Sequence, residues 1–92
     1  MSVYVDKASN PLGRMKMCHM MADTLDELHA MADRVGMKRE WFQNNPDHPH
    51  YDLSQSKRAL VVQNGAIEID GRQLIELIRK WRKKRMTESY IK

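Results

Sequence analysis

Four residues in the first part of this chain carry side chains that bind metal ions or move protons: Asp6, His19, His50 and Asp52. Imidazole and carboxylate are the common ligands of zinc, manganese and iron. They are also the usual general acids and bases near neutral pH. A divalent metal is the cofactor such a group would take. His50 and Asp52 are two positions apart, so in an extended segment they point the same way, with Tyr51 opposite. That geometry suits two ligands, or a histidine oriented by a carboxylate. Each residue also has a plainer reading. A lone histidine on an apolar strand is commonly a hydrogen-bonded core residue. Asp52 beside Ser54 reads equally as a helix cap, and His48 and His50 flank Pro49 in a loop-like stretch. The spacing fits no established metal motif: there is no histidine pair at i, i+4 and there are no paired cysteines. His29 borders the apolar stripe of a helix and reads as a boundary residue that makes a hydrogen bond.

Two further groups concern polyanions. Trp41-Phe42-Gln43 follows Lys38 and Arg39, and aromatic rings beside cations stack the bases of single-stranded nucleic acid. Trp41 is the candidate stacking residue; the competing reading has Trp41 and Phe42 plugging the core beneath the next loop. Of the seven residues from Arg79 to Arg85, six are basic: Arg79, Lys80, Arg82, Lys83, Lys84 and Arg85. Cations suit a helix C-terminus, but so dense a field also binds phosphates without sequence preference. Lys57 and Arg58 lie in the first turn of another predicted helix, where positive charge is unfavourable. They point either to an anion nearby or to pairing with Asp47 and Asp52.

The elements that must position these groups are legible from spacing. Val3 to Asp6 reads as a strand, and Ser9 to Gly13 as a turn, with Pro11 and Gly13 at its heart. Arg14 to Met21 reads as a second strand whose odd positions, Met15, Met17, His19 and Met21, form the buried face. Thr24 and Glu27 form a capping box. Leu25, Leu28, Met31, Ala32 and Val35 then recur at helical spacing, and Gly36 stops the helix. Met37 to Gln43 suggests a short helical turn, and residues 44–49 a loop. A second helix runs from Ser54 to Asn64-Gly65, with Ala59, Leu60 and Val62 as its apolar side. Ala66 to Ile69 is a brief strand. The pair Asp70 and Gln73 opens a last helix that buries Leu74, Ile75, Leu77, Ile78 and Trp81. The fold class is therefore α+β, a small sheet of about three short strands packed with three to four helices. Residues 1–85 form a single compact domain and residues 86–92 a frayed tail.

Composition narrows the classes. At 92 residues, 41% hydrophobic and 30% charged, the chain is neither a disordered tail nor a membrane protein. The lone Cys18 argues against a disulfide-stapled secreted domain. The cluster of Met15, Met17, Met20 and Met21 around it reads as a pliable core strand. With no apolar signal core in the first seven residues, the expected compartment is the cytoplasm. The net charge of +4 is uneven: residues 1–53 carry −2 and residues 54–92 carry +6. A basic half suggests a polyanion-facing surface.

Several short segments are also familiar in combination: Tyr4-Val5-Asp6, Met17-Cys18-His19-Met20, Ala22-Asp23-Thr24, Glu27-Leu28-His29-Ala30-Met31-Ala32, Trp41-Phe42-Gln43 and His50-Tyr51-Asp52-Leu53. Over roughly residues 3–69 the chain resembles a family of small phage and bacterial proteins catalogued only as a domain of unknown function, family number 4031. The resemblance implies a phage, prophage or similar bacterial gene. It brings no activity, cofactor or site residue with it, and the last helix lies outside it.

The leading reading is a phage-type accessory protein that associates with nucleic acid or a nucleoprotein partner through its basic C-terminal helix, without sequence specificity. One alternative is a metal-dependent enzyme or small-ligand-binding domain using the His/Asp group. Another is a module directed at a host protein. Convergence of Asp6, His19, His50 and Asp52 in the fold separates the first two.

Overall fold

Alternation of side chains along extended segments divides the sheet of this protein into two unlike faces, and that division places the functional groups. The computed structural model describes the backbone of residues 2–7, 10–12 and 15–91, and the side chains of residues 2–7 and 17–86. In chain order the elements are β1 (Val3–Asp6), β2 (Asn10–Leu12), β3 (Met15–Ala22), α1 (Leu25–Arg34), a 3-10 turn (Arg39–Trp41), β4 (Phe42–Gln43), β5 (His50–Leu53), α2 (Gln55–Gln63), β6 (Ile67–Ile69) and α3 (Gly71–Ile91). The strands run in the order β4-β5-β3-β1-β6, and β2 pairs with the first half of β3. β1 and β6 are parallel; the other pairs are antiparallel.

The class is α+β, as expected, but the sheet is larger than three strands. Asn10–Leu12 is a strand rather than a turn, because it hairpins onto Met15–Met17. Gly13 and Arg14, the expected turn glycine and strand start, lie outside the described residues. Phe42–Gln43 and His50–Leu53 extend the sheet beyond β3. α3 runs through Ile91, so residues 86–91, expected as a frayed tail, are helical. Among the described residues no helix is long and apolar enough to cross a membrane.

One face of the sheet carries Val3, Val5, Cys18, Met20, Ala22, Tyr51 and Leu53, which form one core with Leu28, Met31 and Ala32 of α1 and Val61 of α2. The even positions of β3 thus face the main core, not the odd ones. Methionine at both parities (Met17 and Met21, Met20) hides this from the sequence. The opposite face is only partly covered. α3 lays Leu74, Leu77, Ile78 and Trp81 over Tyr4, Met21 and Ile69, and the Trp81 indole donates to the Ala22 carbonyl at 2.9 Å. The rest of that face bears Asp6, His19, His50 and Asp52.

Helix ends follow their caps. Thr24 accepts from the Glu27 N–H and donates to the Glu27 carboxylate. At the other end Met37 N–H bonds the Ala32 carbonyl and Gly36 N–H the Asp33 carbonyl, which requires the positive φ of +78° at Gly36. Asp70 and Gln73 exchange reciprocal backbone–side-chain bonds at 2.8 and 2.9 Å. Two apolar stripes differ in detail. Leu25 and Ile75 are exposed, and α2 buries Val61 rather than Ala59 or Leu60. In the continuous run Ala59-Leu60-Val61-Val62 the helical phase is set by packing on the sheet, not by the pattern.

Leu28 is fully buried. Leu28→Ala is expected to cost about 2–5 kcal/mol, the usual loss on emptying a core leucine site. Asp33, exposed and paired with Arg39, should tolerate alanine with an almost unchanged midpoint. Urea denaturation of both variants checks the orientation of α1.

Candidate functional site

Strand register builds the cluster. β3 pairs with β5 so that His19 lies opposite Asp52, and His50 stands two residues before Asp52 on the same face. β1 runs beside β3 and ends at Asp6, whose side chain projects to that face too. Asp6 is 1% exposed. Its carboxylate is held from both sides of one residue: Oδ1 accepts the His19 backbone N–H at 2.9 Å, and Oδ2 lies 2.7 Å from His19 Nδ1. This bond to Asp6 raises the His19 pKa above its ordinary value, against the opposing effect of burial. Arg58 donates to the Asp6 backbone carbonyl at 3.0 Å and fixes that strand end from α2.

His50 is oriented by its own loop. Its Nδ1 lies 2.7 Å from the His48 carbonyl oxygen. A carbonyl only accepts, so Nδ1 carries the hydrogen and the neutral ring keeps its lone pair on Nε2. The Asp6 carboxylate imposes the same tautomer on neutral His19. Both Nε2 atoms then approach one oxygen, Asp52 Oδ1, at 3.8 Å from His19 and 3.4 Å from His50. Three lone-pair donors aimed at one region repel one another unless a proton or a cation lies between them.

The candidate ligand atoms of His19, His50 and Asp52 all lie within 4.8 Å of one another. Zinc holds nitrogen at about 2.0–2.1 Å, which spaces tetrahedral ligands by about 3.3–3.4 Å. A contraction well under side-chain reach would close the set on an ion. The side chains of His19 and Asp52 remain 24% and 33% exposed, so solvent or substrate has access to the remaining positions.

His48 completes the wall. Its ring stacks on His50 at 4.3 Å and lies 5.4 Å from His19. Burial pushes its pKa down to about 4, so it is neutral at physiological pH, and its Nε2 finds no hydrogen-bond partner among the described residues. The sequence offered His48 only as a loop residue; the His-Pro-His triplet was the available signal. Cys18, behind His19 on the core face, is buried with its pKa pushed up to about 11, and acts as a packed, inert thiol.

The other candidates are placed differently. His29 bonds Tyr51 through Nδ1 at 2.8 Å, the boundary role expected of it. Trp41 and Phe42 part company: Phe42 packs on His29 and Tyr51, whereas Trp41 is 46% exposed with the Lys38 ammonium 5.7 Å from its ring centroid. Lys57 and Arg58 do not pair with Asp47 or Asp52. Lys57 caps the last turn of α1 through the Val35 carbonyl at 2.6 Å, and Arg58 pairs with Glu68 at 2.9 Å. A cation at one helix start thus serves the negative end of another. Arg79, Lys80, Lys83 and Lys84 lie exposed along α3, while Arg82 and Arg85 grip Asp47 at 3.2 and 2.8 Å. Asp47 belongs to the loop that delivers His48 and His50.

Fold and cluster together define a small α+β domain that displays a His-His-Asp group on the open part of one sheet face. The chain belongs to the family described as Protein of unknown function (DUF4031), whose family model matches residues 3–81. The match includes Asp6, His19, Trp41, His50 and Asp52, passes residue 69, where the resemblance in the sequence stopped, and ends at Trp81, short of Arg82. No curated protein and no solved structure matches the chain.

The tautomers provide a direct check. At about pH 9, well above the ordinary histidine pKa of about 6.5, long-range 1H–15N spectra of metal-free protein should show the Nδ1–H form for His19 and His50. The Nε2–H form at both positions would mean that the rings do not present Nε2 to Asp52.

Proposed function

We propose that this protein is a divalent-metal-dependent domain of the hydrolytic kind, its ion held by His19 Nε2, His50 Nε2 and Asp52. One observation carries the reading: both imidazoles are tied back through Nδ1, His19 to a buried carboxylate and His50 to a backbone carbonyl, and both turn Nε2 towards the same carboxylate oxygen. Metal-ligating histidines are oriented in this way by outer partners. Three protein ligands with a solvent-open remainder is the ligand count of catalytic rather than structural zinc sites. An ion there would lower the pKa of a bound water and polarise a substrate oxygen. Asp6 is then a positioning residue that sets the tautomer and basicity of His19.

Protein purified without an affinity tag should take up one zinc or manganese ion per chain. With free ion at about 100 times Kd, the fold gains about 2.7 kcal/mol, and Tm rises by roughly 10–20 °C for a domain of this size. Asp52→Ala should abolish the rise. Asp6→Asn should weaken affinity about 10- to 100-fold, the usual effect of losing a carboxylate behind a ligand. Calorimetric titration that shows no binding of either ion would remove the proposal.

A second reading, association with nucleic acid through α3, is favoured by the helix continuing through the basic run with all six cations exposed. Binding would be to phosphates; Arg82 and Arg85 are partly committed to Asp47, and the other four cations of the run are Arg79, Lys80, Lys83 and Lys84. Replacing these four with Gln should flatten the slope of log affinity against log salt by about 3 to 4 units on duplex DNA. Fluorescence titration between about 50 and 200 mM salt reads the change, and an unaltered slope would place the contact elsewhere.

A further inference from the structure

Asp52 faces two spaces. One is the histidine cluster; the other is a cleft of about 440 Å³ at the end of the sheet, walled by Met17, Met37, Trp41 and Gln43, with Glu40, Ser54 and Lys57 at its margin. We propose that this cleft takes the base of a nucleotide, stacked on Trp41, and that the sugar and phosphate extend from it to the His19–His50–Asp52 centre. The inference rests on the metal reading for the phosphate end, and on the cleft itself for the base.

The walls suit a flat, polarisable ring. Trp41 is the exposed member of an aromatic pair whose other member, Phe42, is anchored on Tyr51 and His29. The backbone beneath it is fixed as well. Trp41 N–H bonds the Lys38 carbonyl at 3.0 Å, and Arg39 in the same turn pairs with Asp33 at 3.2 Å. The turn that carries the indole is therefore fixed, while the ring itself is 46% exposed beside the Lys38 ammonium. Two thioethers, Met17 and the largely buried Met37, also line the cleft, and thioethers pack well against the faces and edges of aromatic rings. The Gln43 amide donates and accepts, and Glu40 accepts from an exocyclic amino group, whereas the Ser54 hydroxyl is engaged as the cap of α2 and with Ser56.

Charge decides between a nucleotide and a merely aromatic guest. The cleft margin itself is mixed, with Glu40 and Asp52 against a Lys57 already engaged by the Val35 carbonyl. A phosphate would not lie inside it. At the Asp52 end, an ion with two neutral histidines and one carboxylate keeps a net positive charge, which a phosphate complements and an uncharged aromatic does not. An aromatic peptide would use the Trp41 wall but gain nothing from the metal.

Adenosine and adenosine 5′-monophosphate, titrated into the full chain with and without zinc, test this by calorimetry and by quenching of tryptophan fluorescence. Trp81→Phe removes the second indole from the optical signal. Adenosine should bind and quench, and Trp41→Ala should weaken it about 5- to 150-fold, the range for one base–aromatic stack. Trp41→Phe should retain most of the affinity, and as Trp41 is exposed, neither change threatens the fold. Zinc should tighten the monophosphate at least tenfold and leave adenosine unchanged. Zinc uptake without binding of either compound overturns the base cleft and leaves the metal site standing. Adenosine binding that depends on Trp41, with no zinc uptake, supports the cleft and removes the metal reading. Preference for an aromatic tripeptide over both compounds overturns the nucleotide assignment.

Discussion

A buried carboxylate that must be satisfied organises this protein's open sheet face. Asp6 sits at 1% exposure, where an unpaired charge is costly. Two of the donors that satisfy it come from a single residue, the backbone and the ring of His19. That double hold does two jobs at once. It extends the contact between β1 and β3 past the last ladder pair, Val5 and Met20, and it removes the rotational freedom of the imidazole. The position of Asp52 then follows from strand pairing, and that of His50 from the pleat. Loss of the Asp6 carboxylate would leave the strands paired through their main chains but release the ring that the cluster is built around.

The two faces of the sheet illustrate a division between stability and chemistry. The α1 and α2 side is apolar and closed: Val5, Cys18, Met20, Tyr51 and Leu53 are fully buried. On the α3 side the helix covers Tyr4, Met21 and Ile69, while the side chains of His19 and Asp52 keep 24% and 33% exposure. Residues on one strand therefore serve both ends. Cys18 and Met20 hold β3 in the core, and His19 between them points outward into the cluster. The rigid side supplies the precision that the open side requires, since a one-residue slip of β3 would bury the imidazole and expose the methionine.

How much of this was legible beforehand depends on whether the information was local. Thr24, Glu27 and Gly36 encode the ends of α1 in neighbouring residues, and Asp70 with Gln73 marks the start of α3, so these were readable. The common orientation of His50 and Asp52 was readable from alternation alone. What the sequence withholds is pairing. That His19 lies opposite Asp52, or that Lys57 reaches the end of α1, depends on contacts between distant segments with no local trace. Pro11 and Gly13 made a strand look like a turn. Methionines at both parities of β3 concealed which face was the core. The unbroken apolar run of α2 left its helical phase open until the sheet selected Val61. Trp41 and Phe42, adjacent and alike in type, went to opposite environments because the 3-10 turn ends between them.

Asp47 ties the two halves of the molecule's charge together. Its carboxylate is shared by Arg82 and Arg85, and their bonds to it hold its pKa below the ordinary carboxylate value, the Arg85 bond contributing most. The loop that carries His48 and His50 is thereby moored to the far end of α3. These guanidinium groups are also among those a polyanion would seek, so an incoming phosphate competes with Asp47 for the same donors. A phosphate bound by these arginines would therefore be bound at the expense of their ion pairs with Asp47. The mooring thus joins the loop of His48 and His50 to the basic run of α3 through one carboxylate.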